Sequence, residues 1–128
     1  MSIHQDITIK SSIESVYESL TNASKFSELS GMPAEIKPQS GDKFSIFGGM
    51  ISGITIEAVL NLRLVQAWRV ANWDEGIYSI VKFEVIEISQ DETKICFDHS
   101  GFPPEHEEHL TQGWHDRYWQ PMKKYLES

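Results

Sequence analysis

The spacing of apolar residues changes period along the chain, and each change predicts an element. Ile3, Ile7 and Ile9 alternate with His4, Asp6, Thr8 and Lys10, a period of two that predicts a half-buried strand. In SSIESVYESL the period lengthens. Ile13, Val16, Tyr17 and Leu20 fall at i, i+3, i+4 and i+7, one face of a helix. Ser11 followed three residues later by Glu14 has the spacing of a capping box, which places the helix start there. Ala23, Phe26 and Leu29 predict a second short helix, ended by Gly31 and Pro33.

From Ala34 to Ser100 strand follows strand. DKFSIF and ISGITIEAVL flank Gly48-Gly49 and predict a hairpin. In its second arm Ile54, Ile56, Ala58 and Leu60 share the apolar side, with Thr55 and Glu57 opposite. Leu62, Leu64, Trp68 and Val70 share one side of the next strand, opposite Arg63 and Arg69. After a turn at Asp74-Glu75-Gly76, Val81, Phe83 and Val85 oppose Lys82 and Glu84, and Asp91-Glu92 leads into TKICFDHS. Turns this short make an antiparallel meander, not parallel crossovers.

The last fifth of the chain reads as one long helix. Pro103 and Pro104 suit its first turn, Glu105, Glu107 and Glu108 its positive end, and Lys123 and Lys124 its far end. Leu110, Trp114, Tyr118, Met122 and Tyr125 form its apolar stripe. Pro121 predicts a kink between Arg117 and Pro121, since it removes a hydrogen bond and crowds the preceding turn. Trp114, next to Gly113, is expected where helix and sheet approach most closely, and Trp119 further around the helix and less buried. A sheet this large needs an apolar cover, and this helix is the one element long enough to lie across it. Residues 1–128 thus read as a single α+β domain.

Composition narrows the function. A net charge of −8 disfavours nucleic acid and anionic membrane surfaces, both of which need a positive footprint. MSIHQDITIK lacks the apolar core of a signal peptide, and no apolar run nears the roughly 20 residues of a spanning helix. These features and the single cysteine, Cys96, fit a cytoplasmic protein. Cys96 is expected to be a buried structural residue, its neighbour His99 lying on the opposite face of the strand.

Candidate chemistry is sparse. His106 and His109 in HEEH are three apart, not the four of a zincin helix, and His115 is out of phase with them. They read as solvated residues beside the apolar stripe, with no metal and no other cofactor. GGMISG leads into a strand instead of a helix, so it is a turn and not a phosphate loop. Glu57 and Glu84 fall on the solvent side of their strands, and no carboxylate pair stands out as a catalytic couple. Trp68, Trp73, Trp114 and Trp119 read as core and cavity lining. No catalytic residue is nominated.

The segments GDKFSIFGGMISG, LVQAWRVANWDEGIYSIVKFEV and SGFPPEHEEHLTQGWHDRYWQPMKKYL together resemble the START-like helix-grip superfamily. Within it they are similar to the C-terminal domain of the activator of the 90-kDa heat-shock protein ATPase. The resemblance implies about six antiparallel strands curved around the long helix, two short helices after the first strand, and a cavity between sheet and helix. Trp68, Phe83, Phe97, Trp114, Tyr118 and Met122 are the candidate lining of that cavity. It also implies a non-enzymatic role in chaperone regulation or protein interaction, through weak contact with a 90-kDa heat-shock chaperone. Two alternatives keep the cavity in use: a carrier or sensor of a small apolar ligand, and an enzyme of cyclase or hydrolase type.

Overall fold

The computed structural model describes residues 2–37 and 39–127. Strand β1 (Ser2–Ile9) is followed by helices α1 (Ile13–Thr21) and α2 (Ala23–Ser30). The meander comprises β2 (Lys43–Ile46), β3 (Ile51–Val59), β4 (Arg63–Val70), β5 (Ser79–Ser89) and β6 (Glu92–Ser100). The C-terminal helix begins with a short turn at Pro104–His106 and continues as α3 (Glu107–Trp114), a π-helical turn (His115–Trp119) and α4 (Gln120–Glu127). The six strands form one antiparallel sheet in the order β1-β6-β5-β4-β3-β2. This is the α+β helix-grip architecture expected from the sequence.

Alternation holds closely in the centre of the sheet. Val81, Phe83 and Val85 of β5, and Ile95 and Phe97 of β6, point inward and are almost fully buried. They meet Leu110, Trp114, Tyr118 and Met122 of the C-terminal helix in one core. Helix α1 is capped one residue later than expected: Ser12, not Ser11, accepts from the Ser15 amide. Helix α2 ends at Gly31, whose φ of 74° favours a residue without a side chain.

Strand β3 reverses its expected faces. Ile54 and Ile56 are exposed, while Thr55 is fully buried. The reason lies at Gly53, which pairs with Trp68. A Cβ there would stand 1.8 Å from the Ala67 carbonyl oxygen and 2.9 Å from the Phe44 ring. Gly53 therefore takes the inward position, close against the Ala67 backbone and the Phe44 ring, and the apolar parity is left outside. A bulge between Thr55 and Glu57 then resets the phase. Past it Ala58 packs on the core and Glu57 faces out to pair with Arg63. Leu60 and Leu62, in the turn before β4, are also exposed.

The expected irregularity before Pro121 is the π-helical turn. A proline cannot donate to the carbonyl at 117 and crowds it. The helix meets this with a wider turn, in which the Gln120 amide donates to the His115 carbonyl, five residues back. In an uninterrupted α-helix Trp119 would lie about 140° around from Trp114. The wider turn brings it back to the core side, and Trp119 is as buried as Trp114, each 2% exposed. Its indole N–H donates to Gln5 Oε1 of β1 at 2.6 Å, tying the helix to the edge of the sheet.

Candidate functional site

Most of the seam between helix and sheet is filled with aromatic rings, but one end is hollow. A cavity of about 110 Å³ opens there between α3, the end of β4 and the β2–β3 turn. His106, His109, Gly113 and Arg117 recur every three or four residues and so present one helix face to it. Trp68, Val70 and Trp73 form the facing wall, and Phe47, Met50 and Ile51 close the end. The Phe47 backbone has a φ of 53°, unusual for a bulky residue. Its buried ring holds it there, edge-on to Phe26 at 5.5 Å and to Tyr118 at 5.6 Å. That packing fixes the turn that delivers Met50 to the cavity mouth.

Gly113 shapes the hollow. A Cβ placed on it would meet nothing within 4 Å, so its role is not to let helix and sheet approach closely. The missing side chain leaves space instead. Across that space the Trp68 indole N–H is buried without a properly formed hydrogen bond, beside the Tyr118 hydroxyl. Burial raises the Tyr118 phenol well above its usual range, so it stays protonated.

Below the cavity, His99 occupies the centre of a directed hydrogen-bond chain. Trp114 Nε1–H donates to His99 Nδ1 at 3.1 Å, and His99 Nε2 meets Ser79 Oγ at 2.7 Å. Ser79 in turn donates to the Trp68 carbonyl at 3.1 Å. Because Trp114 can only donate, Nδ1 must accept and the proton sits on Nε2. The ring is fully buried, and loss of hydration lowers its pKa to about 3. This imidazole is a neutral structural member. Cys96, expected to be buried, is half-exposed on the outer face of β6, because it alternates with Ile95 and Phe97.

The cavity candidates named from sequence fall into three groups. Trp68, Trp114 and Tyr118 line the hollow. Phe83 lines, with Tyr118, a much smaller gap of about 10 Å³ near Phe26. Phe97 and Met122 are fully buried in the packed core. His106, read as solvated, is half-buried, its ring parallel to Trp73 at 6.4 Å, while His109 is exposed at the rim. Sequence reading missed Gly113, Met50 and Arg117 as cavity residues. The helical spacing of His106, Gly113 and Arg117 was the available signal; the turn that completes the wall had none.

Residues 10–127 match the family described as Activator of Hsp90 ATPase homolog 1-like protein. The chain belongs to this family. It is 28% identical over 127 residues to the mouse activator of 90 kDa heat shock protein ATPase homolog 2, and 28% identical over 117 residues to the human homolog 1. These matches cover 99% and 91% of this chain but only 38% and 34% of those proteins. An HSP90 activator from Plasmodium falciparum has the same fold, with a TM-score of 0.91 at 27% identity over 99% of this chain and 96% of that one. The Aha1 dimer from Colwellia psychrerythraea shares the fold at a TM-score of 0.83 and 18% identity, covering 99% and 96% of the two chains. Among the described residues no helix is long and apolar enough to cross a membrane.

Proposed function

We propose that this chain is a non-enzymatic module of chaperone regulation that works by weak surface contact with a 90-kDa heat-shock chaperone in the cytoplasm. The observation that carries this reading is the match to the Plasmodium HSP90 activator across 96% of that chain. The mouse and human relatives bear the same activator name. The buried chemistry supports it too, since both nitrogens of His99 are engaged in packing hydrogen bonds.

These residues correspond to 38% and 34% of the mouse and human activators, and the contact they make by themselves is expected to be weak. A Kd of roughly 10⁻⁵ M or poorer, about −7 kcal/mol or less, is the expected range. A chain of charge −8 favours an electropositive partner surface, so binding should weaken as salt screens it. The test is calorimetric titration against the 90-kDa chaperone at low and moderate salt, with ATP turnover measured alongside. Salt-sensitive heat and altered turnover are expected. Neither heat nor changed turnover at high micromolar protein would remove this reading.

One observation favours a second role, the binding of a compact apolar ligand. The hollow at the end of the helix–sheet seam is lined mainly by aromatic and aliphatic side chains, and Gly113 leaves it open. Native mass spectrometry of freshly purified protein tests this role directly. A stoichiometric bound small molecule is expected, displaced when Gly113 is replaced by leucine.

A further inference from the structure

We infer that the cavity beneath Gly113 is built for a small aromatic anion: a single ring held inside, with a carboxylate at the mouth. This rests on the ligand-binding role proposed above and specifies its chemistry.

Size sets the first limit. A closed apolar cavity of about 150 Å³ accommodates benzene. At about 110 Å³ with an open mouth, this one admits a single ring whose substituent reaches the solvent. The walls match a flat body, since the indoles of Trp68 and Trp114 stack at 5.4 Å and 29°, and Trp73 meets Trp68 edge-on at 5.9 Å. Offset and edge-on ring contacts are how aromatic bodies are held.

Charge sets the second. The chain carries 19 acidic residues against 11 lysines and arginines, yet among the described residues no carboxylate lines this cavity. The groups that carry or can gain positive charge there are Arg117, His106 and His109. None of the three forms an ion pair among the described residues; the contact Arg117 makes is with the Met50 sulfur, at 3.7 Å. A guanidinium left without an acid partner at an apolar mouth, in an acidic protein, is suited to an incoming carboxylate.

The third observation lies inside. Trp68, 2% exposed, has its indole N–H buried beside the Tyr118 hydroxyl but without a properly formed hydrogen bond. An unmet buried donor costs stability unless a ligand satisfies it. A ring bearing an acceptor on its far edge, such as a phenol oxygen, would do so while its carboxylate stays at Arg117.

The experiment titrates para-hydroxyphenylpropionate and its uncharged amide into the full chain, by calorimetry and tryptophan fluorescence, at low and high salt. The acid should bind at least about tenfold more tightly than the amide, as a charge-assisted contact requires. Arg117→Gln, an exposed change, and high salt should each remove that difference. Gly113→Leu fills the hollow and should block both compounds, with a circular dichroism melt confirming that the variant is folded. If acid and amide bind equally and Arg117→Gln changes nothing, the anion assignment falls while the ligand cavity stands. If neither compound binds, or if Gly113→Leu leaves binding intact, the ligand cavity falls and takes the anion assignment with it.

Discussion

Trp114 and His99 hold each other in place: the indole N–H of the helix residue donates to Nδ1 of the strand residue at 3.1 Å, with both side chains buried. The bond settles the imidazole tautomer and makes the neutral form the one that fits.

That neutral form gives a pH dependence with a definite sign. The folded pKa is lowered from 6.5 to about 3, so the unfolded chain binds the proton first as pH falls. The contribution of His99 is fully present above pH 6.5 and is lost progressively between 6.5 and about 3, at up to about 1.4 kcal/mol per pH unit. Urea unfolding at several pH values should show the slope in the native protein and a flatter one in His99→Gln. Parallel slopes would show that His99 is not the responsible group.

The π-helical turn makes a prediction that a regular helix would not. Trp119 is as buried as Trp114, so alanine at either position should cost about 3–5 kcal/mol in denaturant melts. Trp119→Phe keeps a ring but removes the hydrogen bond to Gln5, and should cost about 1–2 kcal/mol. A loss at Trp119 far below that at Trp114 would mean that the turn is regular and that Trp119 points away from the core.

Two glycines should respond in opposite ways to the same substitution. Gly53→Ala drives a methyl group against the Ala67 carbonyl and the Phe44 ring, for a loss of about 3 kcal/mol. Gly113→Ala sits in a helix with open space around the new carbon, and should gain up to about 1 kcal/mol. Thermal or urea melts of the two variants decide this. Equal shifts of the same sign would contradict the packing described at one of the two sites.

These contrasts show what the sequence pattern could and could not carry. The middle of β5 and β6 was legible because Val81, Phe83 and Val85, and Ile95 and Phe97, alternate with polar or small residues, although Ile80, Ile86 and Ile88 of β5 face outward and are exposed. Strand β3 misled because its inward position is a glycine, required by the close approach of the Ala67 backbone and the Phe44 ring, which belong to other strands. Helical phase placed Trp114, Tyr118 and Met122 but failed at Trp119, which the wide turn brings back to the core side. His99 shares the parity of Ile95 and Phe97 and is buried with them, but the expectation of a buried Cys96 sets it on the other face. The partners of His99 were not legible, because Ser79 and Trp114 lie 20 and 15 residues away and meet it only through tertiary packing. The cavity was the least legible feature, as it is made by three separate segments and by a missing side chain.

The histidines at the start of the C-terminal helix supply the last prediction. Among the described residues no group of three or more histidine, cysteine or acidic side chains is placed to hold a metal ion. His109 is exposed at the cavity rim, and His109→Ala should change stability by no more than about ±0.5 kcal/mol. His106 differs from it, because its ring lies parallel to Trp73 at 6.4 Å and is half-buried. Losing that stack should cost about 0.5–1 kcal/mol in His106→Ala. Zinc or a chelator should leave the melting temperature of the native protein and of both variants unmoved, since binding to the folded state alone would raise it. A zinc-dependent rise that disappears in His106→Ala would instead make HEEH a metal site, and the ring contact with Trp73 a consequence of it.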